Sequence, residues 1–199
     1  MGVYVDVFME KRLPGEGWHA VPLYTKNSKG EIKLNGIFYG QSYVAQLVRD
    51  LEYKGFVGRM NNDEVSPEVR ELNHLDDPET SKFTTCYECS LQGLHKFAER
   101  KGDMAGWVTQ EDIDEYEKSG SFIGDVIFDD DLLENPEAAK LIQSHRKYYY
   151  WTDPEGSLAV AKRLAGVCDA IHEIFFWSDL DMFRDYRDEV STRLVFVVD

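Results

Sequence analysis

The stretch Leu194-Val195-Phe196-Val197-Val198 is apolar at every position and mostly β-branched. A short, unbroken run of this kind fits a strand covered on both faces. At the other end of the chain, Val3-Tyr4-Val5-Asp6-Val7-Phe8-Met9-Glu10 alternates, yet both alternating sets contain apolar side chains. It too reads as a strand near the middle of a sheet. The helical patterns lie between these two ends, so the chain predicts an α+β fold. One mainly antiparallel sheet contains both terminal strands, and helices from the middle of the chain pack on it.

Working inward, Leu13-Pro14-Gly15-Glu16-Gly17 is a turn cluster that leads into Trp18-His19-Ala20-Val21-Pro22-Leu23-Tyr24, and the two sides read as a hairpin. Pro22 cannot donate a ladder hydrogen bond, which pushes its strand toward a sheet edge. Residues 31–39 offer a third short strand. Ser42 caps a helix with Val44, Leu47, Val48 and Leu51 at helical spacing and Gly55 as its stop. From Val57 to Thr85 the pattern is irregular, except that Ser66-Pro67-Glu68-Val69 has the cap and first-turn proline of a short helix.

Residues 87–100 are helical in pattern through Leu91, Leu94, Phe97 and Ala98. Thr109-Gln110-Glu111-Asp112 opens another helix that Gly120 closes. Residues 122–128 read as a strand. Asn135-Pro136 begins a helix running toward Tyr148-Tyr149-Tyr150-Trp151, and Asp153-Pro154 begins the most apolar helix, which extends to Phe175. No repeat or low-complexity linker interrupts the 199 residues, so residues 1–199 read as a single domain.

Lys plus Arg number 22 against 37 Asp plus Glu, a formal net charge of −15. Such a field repels phosphate backbones and anionic membrane surfaces, so direct nucleic-acid binding is not expected. No segment has the roughly 20 apolar residues of a membrane span, and the start lacks a basic region followed by an apolar run. A cytoplasmic protein is the expectation. The three cysteines are an odd number and too few for a disulfide scaffold, in keeping with a reducing compartment.

The spacing that points most directly to chemistry is Cys86-x2-Cys89 with Cys168-x3-His172. If each pair sits on one helical face, the four side chains could close a tetrahedral zinc site. The competing reading is that the thiols are ordinary core residues, and no cofactor is then expected. Asp6, Glu88 and His95 are the candidate acid–base residues of an enzyme reading. The acidic runs 125–131 and 179–188 lack the spacing of an EF-hand loop and read as solvated faces. There is no His-Glu-x-x-His, phosphate-binding loop, dinucleotide fingerprint or Gly-x-Ser-x-Gly elbow.

Several segments together carry a likeness: Met1-Gly2-Val3-Tyr4-Val5-Asp6, Gly17-Trp18, Val65-Ser66-Pro67-Glu68-Val69-Arg70, Ser90-Leu91-Gln92-Gly93-Leu94, Gly106-Trp107-Val108-Thr109 and Arg193-Leu194-Val195-Phe196. In this order they resemble a group of small uncharacterised proteins of bacteria and their phages that typically begin Met-Gly-Cys-Asp-Ile-His. The resemblance implies a phage or mobile-element context and carries no reaction with it. Members of the group often show Asp and His where this chain has Tyr4 and Asp6, and a His-rich stretch where it has Cys86, Tyr87, Glu88 and Cys89. The leading expectation is an accessory protein whose acidic surface binds a basic host or phage protein. The alternative is a metal-binding protein or metal-dependent enzyme built on the Cys86/Cys89 region.

Overall fold

The computed structural model describes residues 3–26, 29–30, 32–40, 42–129, 132, 136–154, 156–177 and 191–199. They form ten strands and six α-helices: β1 (Val5–Arg12), β2 (His19–Ala20), β3 (Tyr24–Lys26), β4 (Ile32–Leu34), β5 (Phe38–Gly40), α1 (Ser42–Tyr53), β6 (Val57–Met60), α2 (Pro67–Leu72), β7 (Thr85–Ser90), α3 (Leu91–Ala98), β8 (Met104–Val108), α4 (Gln110–Ser119), α5 (Pro136–His145), β9 (Lys147–Trp151), α6 (Ser157–Trp177) and β10 (Ser191–Val198). The chain divides into two compact units, one made of residues 1–99 with 155–199 and the other of residues 100–154. No shift in composition marks either crossing point. No helix among the described residues is long and apolar enough to cross a membrane.

The architecture is α+β, and both terminal strands lie side by side in one antiparallel sheet. β1 and β10 pair over their full length, from Val5 opposite Val198 to Arg12 opposite Ser191. The sheet runs β2-β1-β10-β7-β6, with β5 also on β1. β2 stops at Ala20, before Val21-Pro22, which matches the edge position that the proline dictates. β3 and β4 form a separate hairpin.

Alternation along the central strands explains why both faces are apolar. Val5, Val7 and Met9 of β1, Leu194 and Phe196 of β10, and Tyr87 and Cys89 of β7 enter one core with α1, α3 and α6. The intervening Phe8, Val195, Val197 and Cys86 enter a second core, closed by Val65, Val69 and Leu75. Residues with opposite parity on a strand face opposite ways, so each apolar run serves two interiors.

Several elements differ from the sequence reading. The helix expected over 87–100 is strand up to Ser90, whose hydroxyl accepts the Gly93 N–H at 3.0 Å and starts α3 at Leu91. Helical spacing and strand alternation both suit the run 86–91, and pairing with β10 decides it. Within residues 57–85, β6 and a 3-10 turn at Asn62–Glu64 stand where the pattern is irregular, whereas α2 follows the Ser66 cap and first-turn Pro67 as expected.

In the smaller unit, Tyr148–Trp151 is not a helix end but strand β9, paired with β8. The strand expected over 122–128 is reduced to a single bridge between Ile127 and Trp107. Thr109 does cap α4, with Asp112 closing the capping box, and Gly120 ends it at φ 76°. The acidic run 179–188, residues 130–131 and the cap Asn135 lie outside the described residues.

The two-sided burial generates a stability test. Val5→Asp and Val197→Asp each place an unpaired charge in a separate core, and each is expected to cost more than about 4 kcal/mol. Denaturant melts of the two variants check this; melting at the parental midpoint contradicts it.

Candidate functional site

The two sheet faces sort the candidate residues. On β7, Cys86 and Glu88 project to the second-core side, whereas Cys89 projects to the first. The helical premise of a Cys-x2-Cys chelate is therefore lost, because an odd separation on a strand sends the two sulfurs to opposite faces. Cys168 of α6 is buried in the core that holds Cys89, away from Cys86. His172 lies one helical turn further along α6. No group of three or more His, Cys, Asp or Glu among the described residues is placed to hold a metal ion.

The thiols are unsuited to nucleophilic work. Burial pushes Cys86 up to about 11, and Cys89 and Cys168 up to about 12, from an ordinary value of 9.0. Asp6 stands on β1 opposite Val197, its carboxyl raised by burial and then by Asp199. His95 pairs with Asp169 at 3.0 Å, linking α3 to α6 on the first face. Asp6, Glu88 and His95 thus occupy three separate places, with Asp6 and Glu88 on one face and His95 among the helices on the other.

Glu88 belongs to a polar cluster that the sequence reading did not single out. Glu10 is fully buried and Arg193 is 7% exposed. The two are cross-strand partners on β1 and β10. Arg193 Nε and Nη2 both lie 2.8 Å from Glu10 Oε2, and Nη1 donates to Glu88 Oε2 at 3.0 Å. Nη2 also donates to the Glu64 carbonyl, and the Ser66 N–H donates to Glu10 Oε1 at 2.8 Å. The guanidinium lies over the Trp18 ring at 4.1 Å. A buried ion pair persists where its remaining hydrogen-bonding capacity is met, and here backbone and side-chain partners meet it.

Beside this cluster opens a cleft of about 500 Å³, lined in part by Trp18, His19, Glu64, Arg70 and Arg193. His19 Nδ1 is 3.0 Å from Glu68 Oε1. Burial alone would raise the Glu68 carboxyl, but the His19 bond and the backbone N–H groups outweigh it and hold the group below its ordinary value. Such a pair can orient a base. A hydroxyl nucleophile does not accompany it: Ser66 Oγ is buried and without a hydrogen bond among the described residues. Arg70 Nε is in the same condition, with Asp76 Oδ1 at 3.7 Å, beyond hydrogen-bonding reach.

Gly17-Trp18, then Val65, Pro67 and Arg70, and Arg193 come from three distant parts of the sequence and meet at this cleft. No family model matches the chain, and no curated protein and no solved structure matches it.

Two tests follow from these contacts. Arg193→Met leaves Glu10 buried without its cation and is expected to cost about 3–5 kcal/mol, most of which the double change Glu10→Leu with Arg193→Met recovers. A double-mutant cycle by denaturant unfolding measures it, and independent effects of the two changes argue against the pair. The thiols give a pH dependence. Below pH 9 they are protonated in folded and unfolded chains alike. As pH rises from about 9 toward 12 the unfolded thiols ionise while the buried ones keep their protons. Stability is therefore expected to fall across that window, and less so in a Cys89→Ala, Cys168→Ala variant.

Proposed function

We propose that the protein is a non-enzymatic accessory protein of a phage or mobile element, and that it holds a basic protein partner through its acidic surface. The observation that carries this reading is the dispersal of reactive groups. Cys86 and Cys89 point into different cores, His95 is tied to Asp169, and Glu88 is tied to Arg193. The residues from which a catalytic set would be assembled lie apart rather than converging on one site.

The charge distribution supports the same reading. The chain carries −15 formal charges while Glu10, one of its most deeply buried carboxylates, is neutralised by Arg193. Acidic side chains stand exposed on the surface, as at Glu71, Glu111 and Glu117. Fields of this sign speed encounter with cationic partners and slow it with anionic ones.

A partner held mainly by charge releases as salt shortens the screening length from about 10 Å at 0.1 M to about 3 Å at 1 M. Pull-down with the purified protein is expected to retain a basic protein at low salt and lose it at high salt. Duplex DNA is expected to show no micromolar binding at physiological salt in a gel shift. Failure to retain any protein at low salt, together with stoichiometric zinc in the purified protein, would replace this reading with the metal-site alternative.

A further inference from the structure

In the smaller unit, β8 and β9 pair so that Trp107 stands opposite Tyr148 and Ala105 opposite Tyr150. Ile127 bridges Trp107 on the other edge of β8. Directly paired residues share a face, as do alternate residues on one strand. Trp107, Tyr148 and Tyr150 therefore project to one side of the ribbon, and Tyr149 and Trp151 to the other. The second set is half-buried against other rings: Tyr149 and Trp151 meet Phe122, which stacks on Tyr116 at 4.5 Å. In the first set Trp107 is half-buried, while Tyr148 is 38% and Tyr150 48% exposed.

The outward rings form an edge-to-face row, with centroids 5.1 Å apart for Trp107 and Tyr148 and 5.4 Å for Tyr148 and Tyr150. Asp129 lies against this row. Its two oxygens accept from Trp107 Nε1 at 2.9 Å and from the Tyr148 hydroxyl at 2.7 Å. Both donors are neutral, and Asp129 makes no ion pair among the described residues. A hydrogen bond donated to an anion enriches the donor ring in electron density, which strengthens the attraction of its face for a cation.

The cations of neighbouring segments are engaged elsewhere. Arg146 donates to the Asp125 carbonyl at 2.6 Å, and Lys147 donates to Gln110 at 2.6 Å. Residues 100–154 hold thirteen Asp and Glu against six Lys and Arg, so the wider field has the sign of Asp129.

We propose that this face is where the basic partner docks: a Lys- or Arg-bearing segment lies along β9, with a cationic side chain over Tyr148 or Tyr150 and within reach of Asp129. The proposal rests on the reading that the partner is basic. It assigns that reading to four residues, Trp107, Asp129, Tyr148 and Tyr150.

The test titrates the full chain at low salt with an octapeptide of alternating Arg and Ser, and with one of alternating Glu and Ser. Binding is followed through the indole N–H signals of the four tryptophans, Trp107 being the signal lost in Trp107→Phe. The Arg peptide is expected to shift the Trp107 signal, and the Glu peptide to shift nothing. Tyr148→Ala with Tyr150→Ala is expected to weaken binding about tenfold, and Asp129→Asn about fivefold. Tyr150→Phe keeps the ring and is expected to change binding by less than about twofold. If the double variant loses its fold by circular dichroism, the Asp129→Asn and Tyr150→Phe results decide. Equal binding of the Arg peptide to parent and Asp129→Asn, or equal binding of the Glu peptide, overturns this site while leaving the acidic-surface reading intact. No binding of the Arg peptide to the parent at low salt overturns both.

Discussion

Pairing of β1 with β10 sets eight residues of each strand in register and buries side chains on both faces. Two cores depend on that one ladder. α1, α3 and α6 cover one side of it, and Val65, Val69 and Leu75 close the other. A sheet buried on both faces has strict register, because a slip of one residue would exchange the contents of the two cores.

Glu10 and Arg193 make that constraint sharper. An apolar residue exchanged between cores loses packing, but Glu10 moved to the first core would meet apolar side chains and the thiols of Cys89 and Cys168. In the native register it finds Arg193, the Ser66 N–H and, through the guanidinium, Glu64 and Glu88. A buried pair adds little to net stability, yet leaving one of its charges without a partner is costly, so a register that separates Glu10 from Arg193 is penalised. The same interior explains the silence of the cysteines, whose placement is that of core residues with polarisable sulfur.

How much of this was legible in the sequence follows from the range of the interactions. The terminal strands could be read from their own residues, since an unbroken apolar run of five is itself the signature of two-sided burial. Thr109, Asp112 and Gly120 delimit α4 by contacts within one helix, so local pattern sufficed. The stretches 86–90 and 148–151 failed for a shared reason: aromatic and cysteine side chains suit helix and strand alike, and partners remote in sequence choose between them. The cluster around Arg193 was invisible because Glu10 lies 183 residues away and single charged residues in strands carry no local mark. The aromatic row beside Asp129 was seen as a run of tyrosines, but its two-sided split emerges only once β9 is a strand.

The ladder between β1 and β10 also sets the order in which the chain acquires structure. Its partners are separated by nearly the whole sequence, so the entropy of closing that loop falls due before any central contact is gained. The β8–β9 ribbon closes over far fewer residues. Until β10 arrives, β1, with Val5, Val7 and Phe8, and β7, with Cys86, Tyr87 and Cys89, each present an unsatisfied edge of the kind that recruits strands from other molecules. The abundant surface charge then has a second role, in the half-folded chain: mutual repulsion between copies keeps those edges apart for as long as the last strand is missing.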